Sequence, residues 1–145
     1  MNTYQPEDTL KQRGKIAPAE LLQLYAAGER DFRGAYVTAG DLSHQDLSGA
    51  NFRQAIFIQA NLASAVLVGV NFREAILNGA NLNQANLTLA NLIGADLSEA
   101  QIRGANLTEA GMRSARLRHA DLSEALLCDT NLNEADFEGT NLRQA

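Results

Sequence analysis

The sequence predicts an all-β solenoid: a four-sided parallel β-helix of about five to six coils, with one short α-helix covering its N-terminal end. Three observations carry this. Every fifth residue from Phe32 to Leu142 is apolar, 23 of 23 positions. The small residue of each unit is Ala at 18 of the 23 positions from 35 to 145, the exceptions being Gly40, Gln45, Val70, Thr130 and Thr140. Finally, Phe32, Phe52 and Phe72 recur at a spacing of twenty, as do Arg33, Arg53, Arg73 and, after Ile93 interrupts them, Arg113.

The five-residue period excludes an α-helix along the repeat. At about 100° per residue, five residues advance the apolar position by about 500°, so it rotates by about 140° per unit and never forms a stripe. Extended backbone fits, because residues two apart share a face. The small residue and the central Leu or Phe then point inward. The residue between them, Asn or Asp in 15 of 23 units, points outward. The last two positions, rich in Gly, Ser, Glu and Gln, turn the chain. Four corners of about 90° close a coil in 20 residues, which is the spacing of the Phe and Arg series. Residues 30–145 make about 5.8 such coils, a rod of roughly 28 Å at a strand spacing of about 4.8 Å. Phe57 and Phe137 fall on another face of the same rod.

The unit reads Ala-(Asn/Asp)-Leu-x-x, unbroken in ANLNQANLTLANLIGADLSEA over residues 80–100. This resembles the pentapeptide repeat family, whose pattern is A(D/N)LXX, and the resemblance covers about 80% of the chain. It implies a right-handed quadrilateral β-helix with the central and small residues inside. The segment LLQLYAAGERDF, residues 21–32, also resembles the opening of several cyanobacterial members, one of which regulates heterocyst differentiation.

Two segments follow: residues 1–29, a tail and capping helix, and residues 30–145, the β-helix. Pro18 suits a first helical turn, Leu21, Leu22, Leu24 and Tyr25 form an apolar stripe, and Gly28 suits the stop. A helix of about ten residues is marginal alone. Its expected role is to cover the Phe32, Val37, Leu42 and Leu47 end of the core. Residues 1–15, with Lys11, Arg13 and Lys15 and no apolar pattern, read as a mobile tail, the rival expectation being a partner-binding tail. At the other end the sequence stops inside a repeat at Ala145, where Asp129, Glu134, Asp136 and Glu138 place charge against stacking. The rival expectation there is a weak end-to-end dimer through Phe137 and Leu142.

Composition narrows the function classes. Net charge is −5, from 12 basic and 17 acidic residues, which argues against a generic nucleic-acid or anionic-membrane binder. No run approaches 18 apolar residues and the N-terminus has no signal-peptide core, so the expected location is the cytoplasm. The single cysteine, Cys128, excludes an internal disulfide and a cysteine metal cluster. Beyond carboxylates, only Cys128, His44 and His119 offer nucleophile, base or ligand chemistry, and the four-sided arrangement puts them on three faces. No phosphate loop or HExxH pattern is present. The expectation is a protein with no catalytic residues, metal or cofactor.

The outer surface carries the functional signal. Arg33, Arg53, Arg73 and Arg113 follow the central residue of one face, a ladder of like charge that reads either as solvated arginines offset by neighbours such as Glu74, the favoured expectation, or as a stripe for an anionic partner. Tyr36, Ile56 and Ile76 replace Asn or Asp at spacings of twenty and stack beside Ile58, with Val66 and Val68 on the opposite face. Such a column reads either as a contact site or as a β-branched ladder that stabilises short strands. Residues 96–145 carry nine acidic and five basic groups. The favoured function is a rigid scaffold for binding another protein, as monomer or weak dimer. The alternative follows from the resemblance: some relatives are DNA mimics that bind type II topoisomerases, although Arg103, Arg113, Arg116 and Arg118 interrupt the acidic surface here.

Overall fold

The computed structural model describes residues 14–145. From Asp31 onward the chain climbs as a right-handed quadrilateral β-helix in which every bridge between coils is parallel and joins residue i to i+20, from Asp31↔Asn51 to Asp121↔Asn141. Each side is a strand only two to three residues long. Its backbone nonetheless bonds both neighbours: Phe52 N–H donates to Asn71 O at 2.7 Å and Gln54 N–H to Arg73 O at 2.9 Å, while Asn51 N–H donates back to Arg30 O at 2.7 Å.

The corners explain the two variable positions of the repeat. Ala55 N–H donates to Phe52 O at 2.9 Å, closing a four-residue turn, and Gln54, third in that turn, has φ of +59°. A positive φ at that position alone is the type II pattern. The same left-handed conformation recurs at every fifth residue from Gly34 to Gln144 except Ala39. Fifteen of these residues are not glycine, including Leu89 at +62°. At about 1–2 kcal/mol each, that conformation is sustained by the ladder bonds on both sides of the corner. Around Ala39 the corner relaxes because Thr38 N–H donates to Ile16 O at 3.2 Å, outside the coil.

The core follows the sequence reading closely. Central and small residues are fully buried from Phe32 to Ala125, except at Gly40 and Gln45, which are half-buried. Phe32, Phe52 and Phe72 stack with centroids 5.4 Å apart, and Phe57 packs edge-on against Phe52 at 4.9 Å and Phe72 at 5.4 Å. In the last coil Leu127, Leu132 and Phe137 are half-buried. There the inward Thr130 and Thr140 hydroxyls donate to Leu107 O at 2.7 Å and Leu117 O at 2.6 Å.

At the N-terminal end, strand β1 (Lys15–Ile16) pairs in parallel with strand β2 (Tyr36–Val37). Helix α1 spans Pro18–Ala26, and Leu21 is fully buried in the core. It ends in a Schellman motif: Glu29 N–H donates to Leu24 O at 2.9 Å and Gly28 N–H to Tyr25 O at 3.0 Å, with Gly28 at φ +102°. The helix is fastened to the rod by Tyr25 Oη donating to Ser48 O at 2.8 Å. Pro18 sits so close to Gly40 that a Cβ there would lie 2.6 Å from Pro18 Cγ, which accounts for that exception to Ala. One expectation is corrected: Lys15 belongs to a strand rather than a tail, because its backbone extends the first coil's ladder. Residues 1–13 of that segment lie outside the described residues.

Candidate protein-contact face

The repeat's backbone leaves one N–H per unit without a ladder or turn partner, that of the residue after the central one. The outward Asn or Asp supplies its acceptor. Arg53 N–H donates to Asn51 Oδ1 at 3.1 Å and Ser43 N–H to Asp41 Oδ1 at 2.9 Å. The same bond recurs at all 15 Asn and Asp positions, from Asp31 to Asn141. The side chain is therefore part of the fold: it closes an Asx turn that satisfies a backbone donor.

Units that lack this side chain stand out chemically. Tyr36, Ile56 and Ile76 bridge one another in register on one face. Tyr36 and Ile56 are half-buried, while Ile76 is 37% and Ile58 42% exposed. Behind Tyr36, the Thr38 N–H is taken by β1. Behind Ile56 and Ile76, the Ile58 and Asn78 N–H groups have no acceptor among the described residues. By contrast, the Val66 substitution on the opposite face is compensated, since Val68 N–H donates to Ser48 Oγ at 3.2 Å.

The arginine ladder runs along the adjoining side of the same corner, since Arg33, Arg53 and Arg73 each precede the apolar residue by three positions. It is partly neutralised. Arg33 forms a bidentate pair with Asp31 at 2.8 Å, Arg73 Nε lies 3.3 Å from Glu74, and Arg113 reaches Glu134 at 3.2 Å. Arg53 makes no ion pair among the described residues. Glu74 is held below its ordinary pKa by the Gln54 amide at 2.7 Å and by Arg73 and Arg53. Lys15 Nζ lies 5.4 Å from the Tyr36 ring centroid, at the top of the apolar column.

Arg113, the fourth rung, stands apart from this patch, beyond Ile93. It belongs to a set of ties across the C-terminal half: Arg103 to Glu124 at 2.9 Å, Arg116 to Asp96 at 3.9 Å, and Arg118 to Glu138 and, at 3.7 Å, Asp136. Glu134 is held below its ordinary pKa by hydrogen bonds from Arg113 and Ser114. The surplus acid of that half is thus interleaved with guanidinium groups rather than exposed as a continuous anionic surface.

His44 and His119 occupy corners, at φ +62° and +59°, and Cys128 is exposed with Sγ 3.7 Å from Asp129 Oδ2. No group of three or more His, Cys, Asp or Glu is placed to hold a metal among the described residues. Sequence reasoning missed two exposed leucines. Leu89, at a corner, and Leu126, where Asn or Asp is usual, are 56% and 57% exposed. Their signal was present as Leu at two positions where the unit is polar.

A family model for pentapeptide repeats matches eight copies over residues 41–73, 71–109 and 110–145. The chain belongs to the pentapeptide repeat family. A pentapeptide repeat protein from Nostoc Pcc 7120 is 30% identical, with a TM-score of 0.57 over 88% of this chain and 98% of its own. Another, from the Arabidopsis thaliana thylakoid lumen, is 32% identical over 71% of this chain and 72% of its own, with a TM-score of 0.36. HetL, a pentapeptide repeat protein involved in heterocyst differentiation regulation from Nostoc sp. strain PCC 7120, is 24% identical over 90% of this chain and 94% of its own, with a TM-score of 0.30. No curated protein matches the chain.

Proposed function

We propose that this pentapeptide repeat protein is a non-enzymatic, cytoplasmic scaffold that binds another protein through the face carrying Tyr36, Ile56, Ile58 and Ile76. The observation that carries the reading is the in-register apolar column of Tyr36, Ile56 and Ile76, in which Ile56 and Ile76 forgo the Asx acceptor. Each substitution forgoes a hydrogen bond that consensus units make, a net contribution of about 0.5–1.5 kcal/mol, and places apolar surface outside. A rod held by ladder bonds on four sides presents that surface without reorganising, which limits the entropy lost on association. Replacing Ile56 and Ile58 by Ser should release a partner captured from the native host while leaving the β-rich circular dichroism spectrum intact. Retention of the partner would count against this face. Cell fractionation tests the location, and light scattering at high concentration distinguishes a monomer from an end-to-end dimer through Phe137 and Leu142.

The topoisomerase reading, a DNA-mimic modulator, is less well supported. Arg103, Arg113, Arg116 and Arg118 all pair with carboxylates in the acidic half, which breaks up the phosphate-like spacing of charge that mimicry requires. A gyrase supercoiling assay with excess protein tests it, and unaffected supercoiling is the expected result.

A further inference from the structure

We propose that the corner formed by the arginine and isoleucine columns is a docking strip for an acidic amphipathic helix of a partner protein; this rests on the scaffold reading above and specifies its partner. Three features meet on one side of the rod. Ile56 and Ile76 lie in register, about 4.8 Å apart along the rod. Arg53 and Arg73 stand three residues before them on the adjoining side, long enough to fold their heads toward a ligand on the isoleucine face. Two residues after Ile56 and Ile76, on the side away from the arginines, the Ile58 and Asn78 N–H groups have no acceptor among the described residues, at the place where every Asx unit holds a side-chain oxygen.

Charge decides the sign of the partner. In a protein of net charge −5, the strip gathers Lys15, Arg33, Arg53 and Arg73 against Asp31, Glu74 and, in register beyond Ile76, Asp96, which Arg116 approaches at 3.9 Å. Its two outward N–H groups also prefer an anionic acceptor, as charge-assisted bonds are the stronger ones. Spacing decides the partner's conformation. Tyr36 to Ile76 spans two coil rises, about 9.6 Å. A helix with apolar residues at i, i+3 and i+7 rises about 10.5 Å over the same three contacts, whereas a strand's i, i+2 and i+4 extend about 13 Å. A helix of two to three turns laid along the rod therefore meets all three coils, with acidic side chains flanking its apolar stripe.

The test uses the full chain and synthetic 16-residue helical peptides read by fluorescence anisotropy: one with Leu at i, i+3 and i+7 flanked by Glu, one with Lys in place of Glu. Phosphatidylglycerol vesicles form a third arm. The Glu peptide should bind at least about tenfold more tightly than the Lys peptide, and R53E/R73E should reverse that preference. Restoring the consensus with I56N/I76N should abolish binding while leaving the melting temperature unchanged or raised, because each Asn recreates an Asx bond. Equal binding of the two peptides, binding of neither, or uptake by vesicles in their place overturns the proposal. So does an I56N/I76N variant that melts lower, since the isoleucines would then serve the rod itself. A captured host partner lost on I56S/I58S but kept by R53E/R73E would leave the scaffold reading standing and remove the acidic helix; a partner kept by both would remove both.

Discussion

Substituting Phe52 by Ala tests whether the interior behaves as a rigid, fully packed stack. Phe52 is fully buried, sandwiched between Phe32 and Phe72 at 5.4 Å on either side and touched edge-on by Phe57 at 4.9 Å. Truncating a buried Phe costs about 3–5 kcal/mol, the upper part of that range applying where the cavity cannot collapse. Collapse is blocked here because the surrounding backbone is tied to both neighbouring coils on every side. The three aromatic contacts add to the loss, so about 4–5 kcal/mol is expected. Phe137 provides the control. It is half-buried in the last coil and stacks on no other ring among the described residues, so Phe137→Ala should cost about 1–2 kcal/mol. Urea unfolding followed by circular dichroism, compared by midpoint at constant slope, reads both. Equal shifts for the two variants, or less than about 1 kcal/mol for Phe52→Ala, would refute the packing argument.

Three further outcomes follow from the same geometry. Asn91→Ala removes the acceptor of the Ile93 N–H, now at 3.1 Å, and should lower stability by about 1 kcal/mol, whereas Asn91→Asp should preserve it near neutral pH; equal losses for the two would deny the Asx role. Gly139→Ala should destabilise more than Gly49→Ala in thermal melts: both have positive φ, but a Cβ at 139 would also meet the His119 ring, whereas 49 opens to free space. The third concerns pH. Side-chain and backbone hydrogen bonds from Ser43 hold Asp41 below its ordinary value, and those from Ser123 do the same for Asp121. Because the folded values lie below the unfolded ones, this stabilisation is present above about pH 4 and is lost as pH falls through the folded values. Melting temperatures at pH 5 and pH 3 should therefore differ less for D41N/D121N, which keeps one acceptor oxygen, Oδ1, at each position, than for the parent; an unchanged difference would contradict the assignment.

Much of the fold was legible because the repeat is a statement about side-chain direction. An apolar residue at every fifth position, with a small residue two before it, is incompatible with helical rotation and compatible with alternation on a strand. The twenty-residue return of Phe32, Phe52 and Phe72 indicates four sides, and the observed bridges have that register. Pro18 and Gly28 likewise mark the two ends of a helix observed over Pro18–Ala26. The corner conformation was less legible. Residue type does not reveal that Glu, Gln, His and Leu adopt positive φ, because hydrogen bonds to adjacent coils, not local preference, enforce it.

What the sequence by itself determined is the architecture, the inward residues and the columns that each outward residue joins, since all three follow from periodicity. Only the tertiary structure decided what the outward residues do. Asn and Asp proved to be acceptors for a backbone donor that the ladder cannot reach, and Arg103, Arg113, Arg116 and Arg118 of the acidic half proved to be ties between coils. Both depend on distances between residues about twenty apart or on the exact path of a turn, which spacing alone does not contain. The same distances turn Ile56 and Ile76 from an irregularity of pattern into a face with unpaired donors beside a basic edge.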